Sequence, residues 1–136
     1  MKEWLGSWPV PFESLASARS FFGGDTLKAR VWADSLEARR DGWWPAFDPD
    51  VMIASLADLG RRDDWDEWAN IRCPVLIVRG EQGTLAAEAA EVMASRLQIA
   101  EIVEIRGASH DLHLDRPSEW CRELQRFLSA LETFEL

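Results

Sequence analysis

A histidine in a turn of small residues is the side chain of this sequence best placed to do chemistry. His110 follows a Gly-Ala-Ser turn at residues 107–109, and this turn follows a short apolar segment at residues 101–105. A histidine held on a loop at the end of a strand can take a proton from a nucleophile and return it to a leaving group. The position favours His110 as a general base, whereas a histidine without such support is more often an ordinary loop or capping residue.

The second histidine does not turn this site into a metal centre. His113 lies three residues after His110 and no third ligand is evident nearby, while Cys73 and Cys121 lack metal-binding spacing. We therefore expect no metal and no cofactor. Two cysteines in a chain without a signal segment indicate reduced thiols, and Cys121 is predicted to lie in the core because it falls on the apolar side of a helix.

A histidine base needs a nucleophile and an orienting carboxylate, and the sequence offers little for either. The Gly-x-Ser-x-Gly elbow and its Cys or Asp equivalents, which present a nucleophile between a strand and a helix, do not occur. Glu81 is the candidate acid, because the loops after neighbouring parallel strands meet at one edge of a sheet. The alternative is that Glu81 is a solvated loop charge. Asp111 and Asp115 are expected to make turn and capping hydrogen bonds instead.

The elements that must position His110 are predicted by residues 71–131. The apolar, β-branched run at 74–78 is typical of a strand buried on both faces. A helix capped by Thr84, a strand at 101–105 and a helix at 117–131 follow, which gives two parallel strands joined by a crossover. Two strands leave the run at 74–78 with a bare edge, so we expect that edge to be covered by polypeptide outside this sequence or by a second copy.

The first half of the chain predicts helices and aromatic loops. Seven of the eight tryptophans lie before residue 70. Helical segments are predicted near 12–22, at 26–40, and at 49–59, the last with Asp48 as its cap and a proline in its first turn. The stretch that contains Trp43, Trp44 and Phe47 is too aromatic for a solvated loop. Such aromatics fill a core, or they face a substrate or another protein layer.

Composition places the chain among acidic globular proteins. It has 136 residues, a hydrophobic share of 47% and a net charge of −9, which indicates one domain or part of one. The acidic balance disfavours nucleic acid and anionic membrane surfaces. No apolar run reaches the length of a membrane-spanning helix and the N-terminus does not read as a secretory signal, so a cytoplasmic location is expected.

Residues 71–131 resemble the C-terminal part of α/β-hydrolase fold enzymes. The segment at 71–81, Ile-Arg-Cys-Pro-Val-Leu-Ile-Val-Arg-Gly-Glu, resembles the penultimate strand of that family and its loop. The segment at 107–117, Gly-Ala-Ser-His-Asp-Leu-His-Leu-Asp-Arg-Pro, resembles the loop that carries the histidine after the last strand. Residues 1–70 are similar in position and aromatic character to the helical cap that many members insert before the penultimate strand.

The resemblance implies an α/β protein with part of the hydrolase fold. A mostly helical, Trp-rich, cap-like region would span residues 1–72, and a β-α-β-α part of the core would span 73–136. His110 would be the histidine of a nucleophile–acid–histidine triad. Gly83 stands where the family often carries its aspartate, so the acid would be Glu81 or a residue of the preceding core strand. That strand, the oxyanion-hole loop and the nucleophile elbow would all lie upstream of Met1.

Two functions are compatible with this sequence. The first is a C-terminal fragment or subunit of a hydrolase of esters or related bonds, inactive alone, whose partner is the missing N-terminal half. In that case Trp43, Trp44 and Phe47 would contact a small apolar substrate. The second is a non-catalytic binding or interaction module that acts as a homodimer, through the strand edge at 74–78 or through its Trp-rich face.

Overall fold

A computed structural model describes residues 2–61 and 63–132 of the chain. The chain folds as two compact units, Met1–Asp63 and Asp64–Leu136. Within the described ranges no helix is both long and apolar enough to cross a bilayer. The same ranges contain no cluster of three or more His, Cys, Asp or Glu residues that could hold a metal ion.

The first unit contains four helices and one hairpin in its described part. In chain order these are α1 (Lys2–Gly6), α2 (Leu15–Phe22), α3 (Leu27–Asp34), β1 (Leu36–Arg39), β2 (Gly42–Pro45) and α4 (Pro49–Leu59). Helix α4 begins as predicted, since a carboxylate oxygen of Asp48 accepts from the backbone N–H of Asp50 at 2.8 Å and Pro49 occupies the first turn.

The helix predicted over residues 26–40 is wrong in its second half. Helix α3 ends at Asp34, and the hydroxyl of Ser35 donates to the Trp32 carbonyl at 2.7 Å. The following residues form β1, which pairs antiparallel with β2 across a tight turn. The backbone of Trp43 in β2 also exchanges two hydrogen bonds of 2.9 Å with Phe12. Pairing with a second strand and with Phe12 therefore outweighs the local helical pattern.

Aromatic rings form the core of the first unit. Trp8 is 5% exposed and meets Phe22 edge to face, with ring centroids 4.8 Å apart. The indole nitrogens of Trp8 and Trp32 are buried without a hydrogen-bond partner. Their rings meet edge to face at 5.8 Å, an arrangement that aromatic quadrupoles favour. At least part of the tryptophan content is therefore core.

The second unit has the predicted strand–helix–strand–helix order. Its described elements are α5 (Trp65–Ala69), β3 (Val75–Gly80), α6 (Ala87–Ser95), β4 (Ala100–Ile105), α7 (Leu112–Asp115) and α8 (Pro117–Glu132). Strands β3 and β4 are parallel and in register from the pair Val75 and Ala100 to the pair Gly80 and Ile105. The chain therefore has the predicted α/β class.

Strand β3 has one neighbour within the described residues. The backbone N–H groups of Val75 and Glu81 donate to Ile99 and Ile105 at 3.0 Å, so this set of alternate N–H groups points to β4. The N–H groups of the even-numbered residues, such as Leu76, point to the opposite edge. On that edge the described part of the chain supplies no strand.

The prediction that Cys121 lies in the core of the second unit is wrong. Cys121 is exposed, and so is Cys73. The helix face that carries Cys121 is predicted to be buried, but the described part of the chain gives α8 a sheet of two strands to cover. Its partly buried Trp120 packs on the small core cluster of Ile105, Ala108 and Leu112.

Candidate active site

Two loops at the carboxyl ends of the parallel strands lie against each other. The loop after β3 begins at Glu81 and the loop after β4 begins at Arg106. The backbone N–H of Glu81 donates to the Ile105 carbonyl at 3.0 Å, and that of Gln82 donates to the Ala108 carbonyl at 2.9 Å. The hydrogen bonding between β3 and β4 therefore continues into the two loops and holds them together.

Gly80 permits this close approach. A Cβ atom at Gly80 would lie 2.2 Å from the carbonyl oxygen of Ser109 and 2.6 Å from that of Ala108. Neither backbone oxygen can move aside alone, so any side chain at residue 80 would separate the loops.

The loop that carries His110 is braced from both sides. Gly107 adopts a φ of 65°, in the left-handed region that favours glycine, and its N–H donates to the Glu81 carboxylate at 2.7 Å. On the far side, the Asp115 carboxylate accepts from the backbone N–H of Ser109 at 2.8 Å and from its hydroxyl. The turn hydrogen bonds predicted for Asp115 are present.

His110 is exposed on this braced loop, between residues that are buried. Ala108 is 0% exposed and Leu112 is 9% exposed, and both belong to the core cluster of the second unit. The imidazole Nδ1 lies 3.1 Å from the hydroxyl oxygen of Thr84. The loop is thus anchored by its flanking residues, while the ring reaches the surface.

Thr84 is a site residue that the sequence reasoning missed. It was predicted to cap the following helix, but α6 begins at Ala87, and Ala86 occupies the cap position without a side-chain hydrogen bond. The two intervening residues place Thr84 in the loop, beside His110. The usable signal was that Thr84 follows Gly83, the position where the family often carries its aspartate.

Glu81 lies in the same loop pair but contacts a different partner. Its carboxylate oxygen accepts from the Gly107 N–H, whereas the hydrogen-bonding partner of His110 Nδ1 is Thr84. The role of Glu81 as the triad acid stays a prediction. In this structure Glu81 ties the two loops together.

Arg79, near the end of β3, holds the loop that follows this strand. It is a buried charged residue at 9% exposure, and its Nε donates to the Leu85 carbonyl at 2.9 Å. Its guanidinium also pairs with Glu104 on the neighbouring strand. The sequence does not predict this residue as part of the site. Arginine is rarely buried unless it is paired, and its partner Glu104 is known only from the register of the two strands.

His113 and Ser109 are the other candidate side chains close to His110 in the sequence. His113 is exposed on α7. Ser109, next to His110 in the chain, has its hydroxyl on Asp115. Neither arrangement resembles a nucleophile paired with a base.

The three aromatics predicted to contact substrate lie in the first unit. Trp44 and Phe47 line an open cleft of about 390 Å³ together with Arg39 and Asp48. Trp43 does not line that cleft but packs on the core cluster of its unit. The guanidinium of Arg39 lies 5.5 Å from the centre of the Trp44 ring. The role of these aromatics in binding stays a prediction.

A parallel strand pair followed by a final helix that starts at Pro117 defines an α/β protein, and the loop after its second strand presents a histidine. The model of the alpha/beta hydrolase family matches residues 2–124. The chain therefore belongs to the alpha/beta hydrolase family.

Among curated proteins, the chain is similar to the protein named "Putative protein-lysine deacylase ABHD14B" in Homo sapiens and in Pongo abelii. In both comparisons the identity is 32% over 65 residues, which is 48% of this chain and 30% of the relative. The matched segment thus spans about a third of the length of these relatives.

A solved structure shares the fold. The crystal structure of E-2-(acetamidomethylene)succinate hydrolase matches with a TM-score of 0.80 at 20% identity. The match covers 94% of this chain and 50% of that one. At this identity the likeness shows the fold alone.

Proposed function

We propose that this chain supplies the histidine of a hydrolase site that transfers an acyl group to water. The observation that carries the proposal is His110, exposed on a doubly braced loop at the carboxyl end of a parallel strand pair. Such loop ends are where ligands bind in sheets of this kind. Membership of the alpha/beta hydrolase family supports the same reading.

In the proposed reaction His110 takes up and gives away one proton in each of two halves. A nucleophile attacks the acyl carbonyl carbon, and Nε2 of His110 takes the proton that the nucleophile loses. The protonated imidazole then gives this proton to the leaving group as the bond between the acyl carbon and the leaving group breaks. In the second half a water molecule attacks the acyl carbon and gives a proton to His110. His110 then returns this proton to the nucleophile as the bond between the nucleophile and the acyl carbon breaks and the carboxylic acid is released.

The site needs a nucleophile from elsewhere. The sequence contains no nucleophile elbow, and the hydroxyl nearest to His110 in the chain, that of Ser109, donates to Asp115. We propose that further polypeptide supplies the nucleophile, and that the chain alone does not hydrolyse esters. The substrate is proposed to be small and apolar, in keeping with the aromatic cleft beside Trp44 and Phe47.

The first test measures p-nitrophenyl acetate hydrolysis by the purified chain. We expect a rate no greater than that of the His110→Ala variant plus free imidazole at the same concentration. A turnover from the pure chain that His110→Ala abolishes would mean that the chain holds its own nucleophile, and the proposed dependence would be wrong.

The second test uses a longer polypeptide that contains this chain together with a nucleophile elbow. We expect it to hydrolyse short-chain esters, and His110→Ala to lower kcat by roughly 10²–10⁴-fold, the usual contribution of a general base. His113→Ala is the matched control, because His113 is also exposed and lies three residues away. An active polypeptide that tolerates His110→Ala would exclude His110 as the base.

A second candidate function is a homodimeric interaction module. One edge of β3 has no strand beside it among the described residues, and this favours the second function, since an apolar strand edge can pair with another chain. This function requires self-association, whereas the proposed hydrolase site does not.

A further inference from the structure

We propose that Thr84 is the positioning residue of His110, and that it orients the imidazole without fixing which ring nitrogen carries the proton. The proposal rests on the proposed role of His110 as a base. Thr84 would act at Nδ1, the nitrogen through which a triad carboxylate holds its histidine.

The geometry places Thr84 where that carboxylate is expected. Its hydroxyl oxygen lies 3.1 Å from Nδ1 of His110, within hydrogen-bonding distance. Thr84 belongs to the loop after β3, and His110 belongs to the loop after β4, the parallel neighbour. The hydroxyl therefore reaches the histidine from the same neighbouring loop that was predicted to donate an acid.

The backbone on both sides of Thr84 is held. The N–H of Gly83 donates to the Gly80 carbonyl at 2.9 Å, and the carbonyl of Leu85 accepts from buried Arg79 at 2.9 Å. Arg79 is in turn paired with Glu104 of β4. A side chain supported in this way can keep a partner ring in one orientation.

A hydroxyl at this position differs from a carboxylate in one respect. A carboxylate only accepts, so it selects the ring form with its proton on Nδ1 and a lone pair on Nε2. A threonine hydroxyl donates or accepts, so it binds either neutral ring form. Only the form with the Nε2 lone pair can take a proton from a nucleophile. His110 is thus oriented, but not locked in its basic form.

The test reads the ring nitrogens of His110 directly by ¹⁵N NMR. A His113→Gln background leaves one imidazole in the chain, and a pH of about 8.5 keeps an ordinary imidazole neutral. We expect both nitrogens of the parent to show intermediate shifts, which indicate a mixture of the two forms. Thr84→Ser should preserve that spectrum, because it keeps the hydroxyl.

Two further variants separate orientation from proton placement. Thr84→Val removes the hydroxyl at nearly constant shape. Because this also removes the hydrogen bond at Nδ1, we expect the Nδ1 signal to leave its parent shift and to move to that of the unfolded chain in denaturant. Thr84→Asp supplies an acceptor only, so Nδ1 should move to the protonated shift and Nε2 to the unprotonated one. Gln82→Ala is the matched control in the same exposed loop and should leave the spectrum unchanged.

Several outcomes would overturn the proposal. A Thr84→Val spectrum identical to the parent would show that Thr84 does not position the ring. An unchanged Thr84→Asp spectrum would place residue 84 away from Nδ1, and a single ring form in the parent would contradict the mixture. These readouts do not depend on turnover, so they remain valid whether or not His110 acts in hydrolysis.

Discussion

At the scale of single residues, the site depends on a glycine at the point where its two loops meet. Gly80 has no side chain, and this lets the loop after β3 touch the carbonyls of Ala108 and Ser109. His110 is carried by the same stretch of backbone. A change at Gly80 therefore acts on the histidine without touching it.

Gly80→Ala is expected to destabilise the second unit. Its Cβ would lie 2.2 Å from the Ser109 oxygen, so the loops must separate, at a cost of about 1–3 kcal/mol in the free energy of unfolding. Urea unfolding followed by circular dichroism measures this loss.

Gly6→Ala is the control for the glycine substitution, because a Cβ at Gly6 meets nothing within 4 Å. We expect it to leave stability unchanged or to raise it by up to about 1 kcal/mol. Equal stability of Gly80→Ala and the parent would mean that the two loops are not in contact in solution.

The sequence predicted some of these residues and not others, for physical reasons. The loop position of His110 and the turn hydrogen bonds of Asp115 could be predicted because both depend on local sequence, a strand end and a nearby turn. Thr84 could not, because a threonine before a helix can cap the helix or bind a side chain from another loop. Arg79 required knowledge of its strand partner, since its burial is offset by Glu104 across the sheet.

At the scale of elements, helix α8 is tied to strand β4 by charged side chains. Arg126 of α8 donates to Glu101 of β4 and also, at 3.0 Å, to Glu123 one turn earlier. The hydrogen bond from Arg126, followed by that from Arg122, lowers the pKa of Glu123 below its ordinary value of 4.5. The ionised form of Glu123 is therefore favoured in the folded chain.

This shift gives a pH dependence with a definite sign. A carboxyl whose pKa is lower in the folded state stabilises the fold above its unfolded-state pKa, and that contribution is lost as the pH falls through the lower folded value. Glu123→Gln should therefore flatten the fall in stability below about pH 4.5. Urea midpoints measured over a pH series for both proteins check this.

Glu91→Gln serves as the comparison for Glu123→Gln. Glu91 is exposed on α6, and no ion pair involves it in the described ranges. We expect its acid limb to match the parent, and 1 M salt to weaken the Glu123 effect because exposed pairs are screened. An acid limb that Glu123→Gln leaves unchanged would show that the pair adds nothing to folding.

Helices and strands are predicted correctly where the local sequence pattern and the tertiary contacts favour the same structure. Strands β3 and β4, the capped start of α4 and the final helix all follow from their own residues. Residues 36–45 did not, because their hairpin depends on pairing with Phe12, more than twenty positions away. A short segment with helical periodicity cannot reveal such a partner.

At the scale of the whole molecule, the unpaired edge of β3 is the feature that a second chain can use. Leu76 and Val78 direct their N–H groups away from β4, and the described residues place no strand there. The apolar run predicted this edge from sequence alone.

We expect the purified chain to self-associate through this edge. Leu76→Pro removes an N–H from the unpaired side, and should lower the self-association constant with little effect on the β3–β4 ladder. Ile77→Pro is the comparison variant: it removes an N–H that points to β4 and also a buried side chain. It should therefore cost more folding free energy than the roughly 1–3 kcal/mol of the lost hydrogen bond alone.

Sedimentation velocity over a range of concentrations measures both variants. The expected result is a weight-average mass that rises with concentration for the parent and stays flat for Leu76→Pro. A parent that remains monomeric at every concentration would exclude the homodimer. Association that persists in Leu76→Pro would move the contact to another surface.

The core cluster of the second unit has a consequence for how this chain can change over time. Ala108 and Leu112 are both members of that cluster and both flank His110. Two residues of the core are therefore also the residues that hold the backbone on either side of His110. Selection for folding alone would therefore retain Ala108 and Leu112, and the backbone of this loop would be kept even in a related chain without catalytic activity.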